Sequence, residues 1–169
     1  DMGIPILESE KVPTTLKARQ QLKEGNAAVN SPVTVEGHEY EVTAVSMGNP
    51  HGIIFTDNVD AMKPMPFETI GPIMESHPIF PEKVNAEFVQ KLTDNHVKMY
   101  VWERGAGPTL ACGTGACATV VAGVLTGNCQ LDTKVTLPGG DLDISWDRDG
   151  SGKIFMTGPA EPTFKGEFL

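Results

Sequence analysis

Three cysteines are all that this sequence carries, and none is spaced C-x-x-C from another. An odd, low count excludes a secreted disulfide framework and fits a reducing compartment. Basic residues are scarce too: 13 Lys and Arg stand against 22 Asp and Glu, a formal charge of −9 with a pI near 4.8. That balance argues against nucleic acid or an anionic membrane surface as partner, since both reward positive charge. The uncharged run over residues 116–125 covers ten positions, about half of the roughly 20 that a bilayer requires. Repeats and low-complexity tracts are also missing. With 169 residues and 40% hydrophobic composition, the chain can bury one good core or two small lobes. It opens on Asp1 rather than Met, so it is expected to be trimmed, with any targeting peptide or earlier domain lying outside it.

Proline and glycine divide what is there. Residues 1–13 read as extended pieces broken by Pro5 and Pro13, and residues 16–24 as a short charged helix ending at Gly25. Residues 33–35 and 39–47 form a hairpin around Gly37-His38, with Tyr40, Val42, Ala44 and Ser46 alternating against Glu39, Glu41, Thr43, Val45 and Met47. Ile53-Ile54-Phe55 follows as a buried strand. Pro66 opens a helix to about Ser76 with Phe67, Ile70, Ile73 and Met74 on one side. Strands are expected over residues 84–89, 96–104, 135–137, 142–146 and 153–157, with a last extended piece over 163–169. No βαβ rhythm is visible. The expected fold class is α+β, a mostly antiparallel sheet wrapped around a buried central helix.

That central helix is the run after Cys112-Gly113-Thr114-Gly115. Residues 116–125 carry no charge on any face, as befits an enclosed helix, and Gly127-Asn128 supplies a stop. The first N–H groups of a helix have no internal partner, and the helix dipole adds positive charge there. A Gly-Thr-Gly entrance is therefore a good anion cradle. Cys112 precedes it, where its thiol is expected to fall below the free-cysteine value of about 8.5; the plainer alternative is a small buried hydrophobe. Cys117 lies inside the apolar helix and reads as core, and Cys129 as incidental.

Two further constellations stand out. Along Val97-Lys98-Met99-Tyr100-Val101-Trp102-Glu103-Arg104, the apolar face of Val97, Met99 and Val101 is continued by Glu103. A carboxylate on the core side either meets a donor or does chemical work. Arg104 leaves on the other side, suited to a bidentate grip on a carboxylate, unless the pair is simply a solvated strand end. In Gly48-Asn49-Pro50-His51, Asn49 is held extended by the proline, and His51, close behind it, could hydrogen-bond a thiol or a reacting group; as a bare turn, the same residues would do nothing. A structural zinc finds no support. Cys112 and Cys117 would point about 140° apart on a helix, and His38, His51, His77 and His96 are scattered.

Taken together, Ser46-Met47-Gly48-Asn49-Pro50-His51, Val84-Asn85-Ala86-Glu87-Phe88-Val89, Trp102-Glu103-Arg104-Gly105-Ala106-Gly107, Leu110-Ala111-Cys112-Gly113-Thr114-Gly115-Ala116-Cys117-Ala118, Leu137-Pro138-Gly139-Gly140 and Met156-Thr157-Gly158-Pro159-Ala160 resemble the diaminopimelate epimerase family in family order. The Cys-Gly-Thr-Gly block is also similar to proline racemase-type enzymes. The resemblance implies a cofactor- and metal-free isomerase of lysine biosynthesis, interconverting LL- and meso-diaminopimelate by proton transfer between two cysteines on opposite faces of one carbon. It makes Cys112 one of those two, gives the α-carboxylate to the amides of Gly113 and Thr114, and the distal end of the substrate to Asn49, Asn85 and Arg104. Glu103 and His51 would lie beside the reacting centre. The family's other cysteine belongs to a Gly-Asn-Gly-x-Arg-Cys-type segment of an N-terminal domain, and no such segment occurs here. The chain thus reads as a C-terminal half: residues 1–162 the domain, residues 163–169 a strand that would return to the absent N-terminal partner. A homodimer and a location in the bacterial cytoplasm or plastid stroma are further implications. The alternatives are a proline racemase-like isomerase and a non-catalytic half-domain.

Overall fold

The computed structural model describes residues 1–23, 25–62 and 65–168. Residue 24 of the expected first helix and residue 169 of the expected terminal strand lie outside the described residues.

After a single 3-10 turn at Ser9–Lys11, two short strands, β1 (Gln20–Leu22) and β2 (Gly25–Ala27), pair antiparallel. This hairpin replaces the helix expected over residues 16–24. Gln20 pairs with Ala27, Gln21 with Asn26 and Leu22 with Gly25, and Glu8 bridges to Ala27, so tertiary pairing overrides the charged, helix-compatible composition.

The main sheet contains β3 (Ser31–Val35), β4 (His38–Ser46), β5 (Pro50–Phe55), β6 (Asn85–Thr93), β7 (His96–Glu103), β8 (Gly107–Pro108), β9 (Asp132–Leu137), β10 (Gly140–Trp146) and β11 (Ile154–Thr157). Among the described residues two α-helices accompany it, α1 (Phe67–Glu75) and α2 (Gly113–Thr126). The strand order is β11-β10-β9-β7-β6-β5-β4-β3, with β8 paired to β7. Most neighbours run antiparallel, as expected. Two do not: β5 and β6 are parallel, as are β7 and β9. Parallel neighbours need a crossover, and α1 and α2 lie on these two connections. The expectation that βαβ units are missing is thereby corrected.

The sheet curls around α2. The first residues of the chain bridge the end strand β11 to β4, the neighbour of the other end strand: Met2 N–H donates to the Ile154 carbonyl at 2.9 Å, and Ile6 and Ser46 exchange two hydrogen bonds of 2.9 Å. Inside the wrap, residues 115–123 of α2 are buried throughout and pack with Val89, Val97, Met99, Val101, Val135 and Trp146. The helix ends on Gly127 in the left-handed region (φ 76°). There Asn128 N–H reaches the Gly123 carbonyl at 2.7 Å and Gly127 N–H reaches that of Val124 at 3.3 Å, the bond pair of a Schellman stop.

A second core lies on the outer face. There α1 buries Ile70 and Met74 against Val42, Ala44, Ile54 and Phe88. Gly71 lets α1 approach Trp102 so closely that a Cβ would lie 2.6 Å from the indole ring. Because both faces are covered, residues 42–46 of β4 are buried without the alternation expected from the sequence. Residues 158–168 form no strand, and Phe164 and Phe168 are 85% and 103% exposed. Among the described residues, no helix is long and apolar enough to cross a membrane.

Candidate active site

Strand parity sends several polar side chains to one place. β5 and β6 start side by side, with His51 in register with Asn85, while β7 runs the opposite way and ends beside them. On the inward face, His51 precedes Ile53, Asn85 and Glu87 precede Val89, and Glu103 follows Val101. Alternate residues of a strand share a face, so the polar groups of three strands gather at one end of the wrap. The entrance of α2 opens there.

Cys112 is the N-cap of α2, with extended backbone (φ −143°, ψ 103°). Its carbonyl accepts the Ala116 N–H at 2.9 Å, and its Sγ accepts the Gly115 N–H at 3.3 Å. Sulfur thus takes the place of the usual capping oxygen. The N–H groups of Gly113 and Thr114, in the first turn, have no intrahelical acceptor and converge where the helix dipole is positive. Gly113 is small for a reason: a Cβ there would meet Met156 Sδ at 3.1 Å.

A hydrogen-bonded chain runs from this cap into the sheet. Thr114 Oγ1 lies 3.6 Å from Cys112 Sγ and accepts the Asn49 amide Nδ2–H at 3.3 Å. Asn49 Oδ1 is 3.0 Å from His51 Nε2, and His51 Nδ1 is 2.6 Å from Glu87 Oε1. His51 and Glu87 are both fully buried. Burial pushes the Glu87 carboxyl above the usual carboxylate range and Glu103 adds to this, although His51 pulls it down.

The thiol differs from expectation. Burial, reinforced by the carboxylate of Glu87, pushes Cys112 up to about 11, against the opposing pull of the Thr114 hydroxyl and the Gly115 N–H. Cys112 is only 8% exposed, so desolvation of the anion outweighs the amides and the dipole. The expected low-pKa thiolate is corrected to a resting thiol.

The other expected residues form two flanking groups. Asn85 spends its amide on backbone, donating to the Pro50 carbonyl at 2.9 Å and accepting the Arg104 N–H at 2.9 Å. It thereby clamps the start of β5 to the end of β7. The Arg104 side chain is exposed, and its guanidinium donates to the Glu82 carbonyl at 3.1 Å. Glu103 is half-buried and accepts a short hydrogen bond from Thr109 Oγ1, the donor that its inward position demanded. Cys117 is fully buried within α2, and Cys129 lies past its far end, packed on Gly123.

Sequence reasoning missed Glu87, Thr109 and the role of Gly115. Glu87 had a signal: it is the one ionisable residue in the otherwise apolar or amide-bearing run 84–89, and a lone carboxylate in a buried strand requires a partner. A Cβ on Gly115 would lie 2.7 Å from Glu87 Oε1 and 3.0 Å from Cys112 Sγ. Glycine therefore brings the acid and the thiol onto either side of one backbone position.

The fold has a distant match in the crystal structure of a hydroxyproline epimerase from Agrobacterium vitis, with a TM-score of 0.53 at 13% identity, covering 70% of this chain and 40% of that one. Relatives named diaminopimelate epimerase are much closer in sequence. That of Acaryochloris marina is 52% identical over 98% of this chain and 56% of its own length, and that of Desulfitobacterium hafniense 50% identical over 100% and 56%. The chain therefore spans little more than half the length of these relatives. The family model for diaminopimelate epimerase matches residues 43–163, which takes in the Asn49–His51 turn, the Glu87 strand and the whole Cys112 entrance. The chain belongs to the diaminopimelate epimerase family.

Proposed function

We propose that this chain supplies one half of the active site of a cofactor-independent epimerase that interconverts LL- and meso-diaminopimelate in lysine biosynthesis. The observation that carries this reading is Cys112 capping the mouth of a buried helix, its sulfur accepting the Gly115 N–H, while the Gly113 and Thr114 amides of the same first turn have no intrahelical acceptor. A substrate α-carboxylate on the N–H groups of Gly113 and Thr114 would hold Cα over that sulfur. As the α-proton leaves, charge flows into the carboxylate, where fixed donors favour the transition state. One sulfur, as thiolate, takes the proton from one face of Cα; the other, as thiol, delivers a proton to the opposite face; the two finish with exchanged protonation states. Cys112 rests as the thiol. An α-ammonium group arriving near Cys112 and Glu103 brings the positive charge that eases its ionisation in the reverse direction.

Inversion needs two such groups, and neither Cys117 nor Cys129 is placed to be the second. The second thiol is assigned to an N-terminal domain, consistent with the greater length of the relatives. In this reading residues 1–162 are the C-terminal domain and residues 163–169, with the exposed Phe164 and Phe168, dock on that partner. In this reading Arg104, Asn85 and Asn49 would hold the distal end of the substrate. The complete enzyme is assigned to the bacterial cytoplasm, where free thiols persist, and to a homodimer.

The test is deuterium incorporation at the α-carbon of diaminopimelate in D2O, with the chain combined with the N-terminal half of a relative. Exchange is expected, with a loss of at least a hundredfold in Cys112→Ala. Exchange that survives this substitution, or none from the combined halves, contradicts the proposal. Faster washout from proline than from diaminopimelate would favour a proline racemase-like activity instead.

A further inference from the structure

The buried pair beneath the helix entrance has a feature that proton transfer at Cys112 does not by itself require. Glu87 Oε1 is 2.6 Å from His51 Nδ1 with both side chains fully buried, and Glu87 Oε2 has no hydrogen-bond partner among the described residues. We infer that Glu87 is a positioning residue: it shares one proton with His51 and so fixes the imidazole ring that orients Asn49 and Thr114 against Cys112.

The donors and acceptors permit this assignment. Asn49 donates its Nδ2–H to Thr114 Oγ1, which leaves Oδ1 as the acceptor facing His51 Nε2 at 3.0 Å. His51 therefore carries a hydrogen on Nε2. Its Nδ1 then needs a proton in the 2.6 Å contact with Glu87, because a lone pair facing a carboxylate would repel. Whether that proton sits on nitrogen or oxygen, the pair is neutral overall, the state that complete burial favours. The opposite arrangement, with the Asn49 amide reversed and a bare carboxylate, would bury a net negative charge. It would also set that charge across Gly115 from Cys112. The ionisable groups facing the pair are Glu103 of β7, whose charge raises the Glu87 carboxyl, and Cys112 of α2, a thiol that a Glu87 carboxylate holds up, so an anion at Glu87 left unneutralised would be costly beside Glu103. Geometry at Gly115 leaves no slack, since Glu87 Oε1 and Cys112 Sγ both come within 3.0 Å of its missing Cβ.

The inference rests on the epimerase reading for its purpose but not for its test. In this chain, uniformly 15N-labelled, the His51 imidazole is expected to show a protonated Nε2 and a downfield Hδ1 resonance protected from exchange. In Glu87→Gln the amide can still donate to Nδ1, so the Nε2–H form stays while the downfield resonance is lost. In Glu87→Leu the ring loses its fixed tautomer, and the pH midpoint for iodoacetamide alkylation of Cys112 moves by at least half a unit. Persistence of the downfield proton in Glu87→Gln overturns the proposal, as does a wild-type ring protonated on Nδ1 alone. If Glu87→Leu does not fold, the Glu87→Gln spectrum decides alone. Failure of the epimerase reading would appear instead as missing α-proton exchange with these spectra intact.

Discussion

Thr114 is the narrowest point of the chain that joins Cys112 to the sheet. Its hydroxyl accepts from Asn49 and lies beside the sulfur, so Thr114→Val cuts both links while keeping the shape. The expected result is a fall of about tenfold in the exchange rate of the combined halves, equivalent to one hydrogen bond of ~1.4 kcal/mol, with stability nearly unchanged. Gly115→Ala acts differently. Its Cβ would press on Glu87 Oε1 and Cys112 Sγ, and overpacking in a close-fitted interior costs about 1–3 kcal/mol. Thermal denaturation is expected to reveal that loss, together with a larger loss of activity than in Thr114→Val. At this scale the sequence was most informative where backbone punctuation marks the residue. Cys112, Asn49 and His51 sit beside glycine or proline, and each is found at the site. Glu87 lies inside a strand, marked only as the lone ionisable residue of its run, and its partner His51 is 36 positions away. Only the parallel register of β5 and β6 reveals the pair.

Among the elements, α1 is secured to the far end of β7 by one side chain. Glu75 accepts the Trp102 indole N–H at 2.8 Å, the Gly105 N–H at 3.0 Å and Lys83 Nζ at 3.3 Å, and is only 12% exposed. Burial alone would raise its carboxyl, but Trp102, Gly105 and Lys83 together hold it below the ordinary value of 4.5. A depressed carboxyl contributes stability that is present above the unfolded-chain value and is lost as pH falls through the folded one. Glu75→Gln is therefore expected to cost about 2 kcal/mol at pH 7, and the gap from wild type in urea midpoint is expected to shrink below pH 4. An undiminished gap at low pH would assign the cost to packing rather than charge. The hairpin expected over residues 33–35 and 39–47, the strand expected over 96–104 and the stop at Gly127 were legible, to within a residue or two at most ends, because each is specified by neighbours in sequence. The β1–β2 pair was not, since its composition suits a helix and its partners are tertiary. The βαβ crossovers escaped for a related reason: periodicity reports an element, not the neighbour it pairs with.

For the molecule as a whole, the central helix ties stability to alkaline pH. Burial pushes Cys112 and Cys129 up to about 11 and Cys117 up to about 12 from 9.0. Burial also raises Tyr40, and the Asp60 hydrogen bond raises Tyr100. The folded chain keeps these protons to higher pH than the unfolded chain does. Stability is thus complete below about pH 9 and declines as pH rises through the range of 11 to 12. Cys117→Ala is expected to flatten that decline, as read from denaturant midpoints between pH 8 and 11. The same enclosure places the Cys112 end of α2 at the rim of the wrap, on a chain whose terminal residues 163–168 are exposed. The most direct measurement is a titration of the 15N-labelled chain, combined with an unlabelled N-terminal half, with meso-diaminopimelate. Saturable shifts of the Gly113 and Thr114 amide resonances are expected, unchanged in size in Cys112→Ala, which keeps the cradle but removes the sulfur. Saturable binding that leaves both amides unmoved would contradict a carboxylate seated at the entrance of α2.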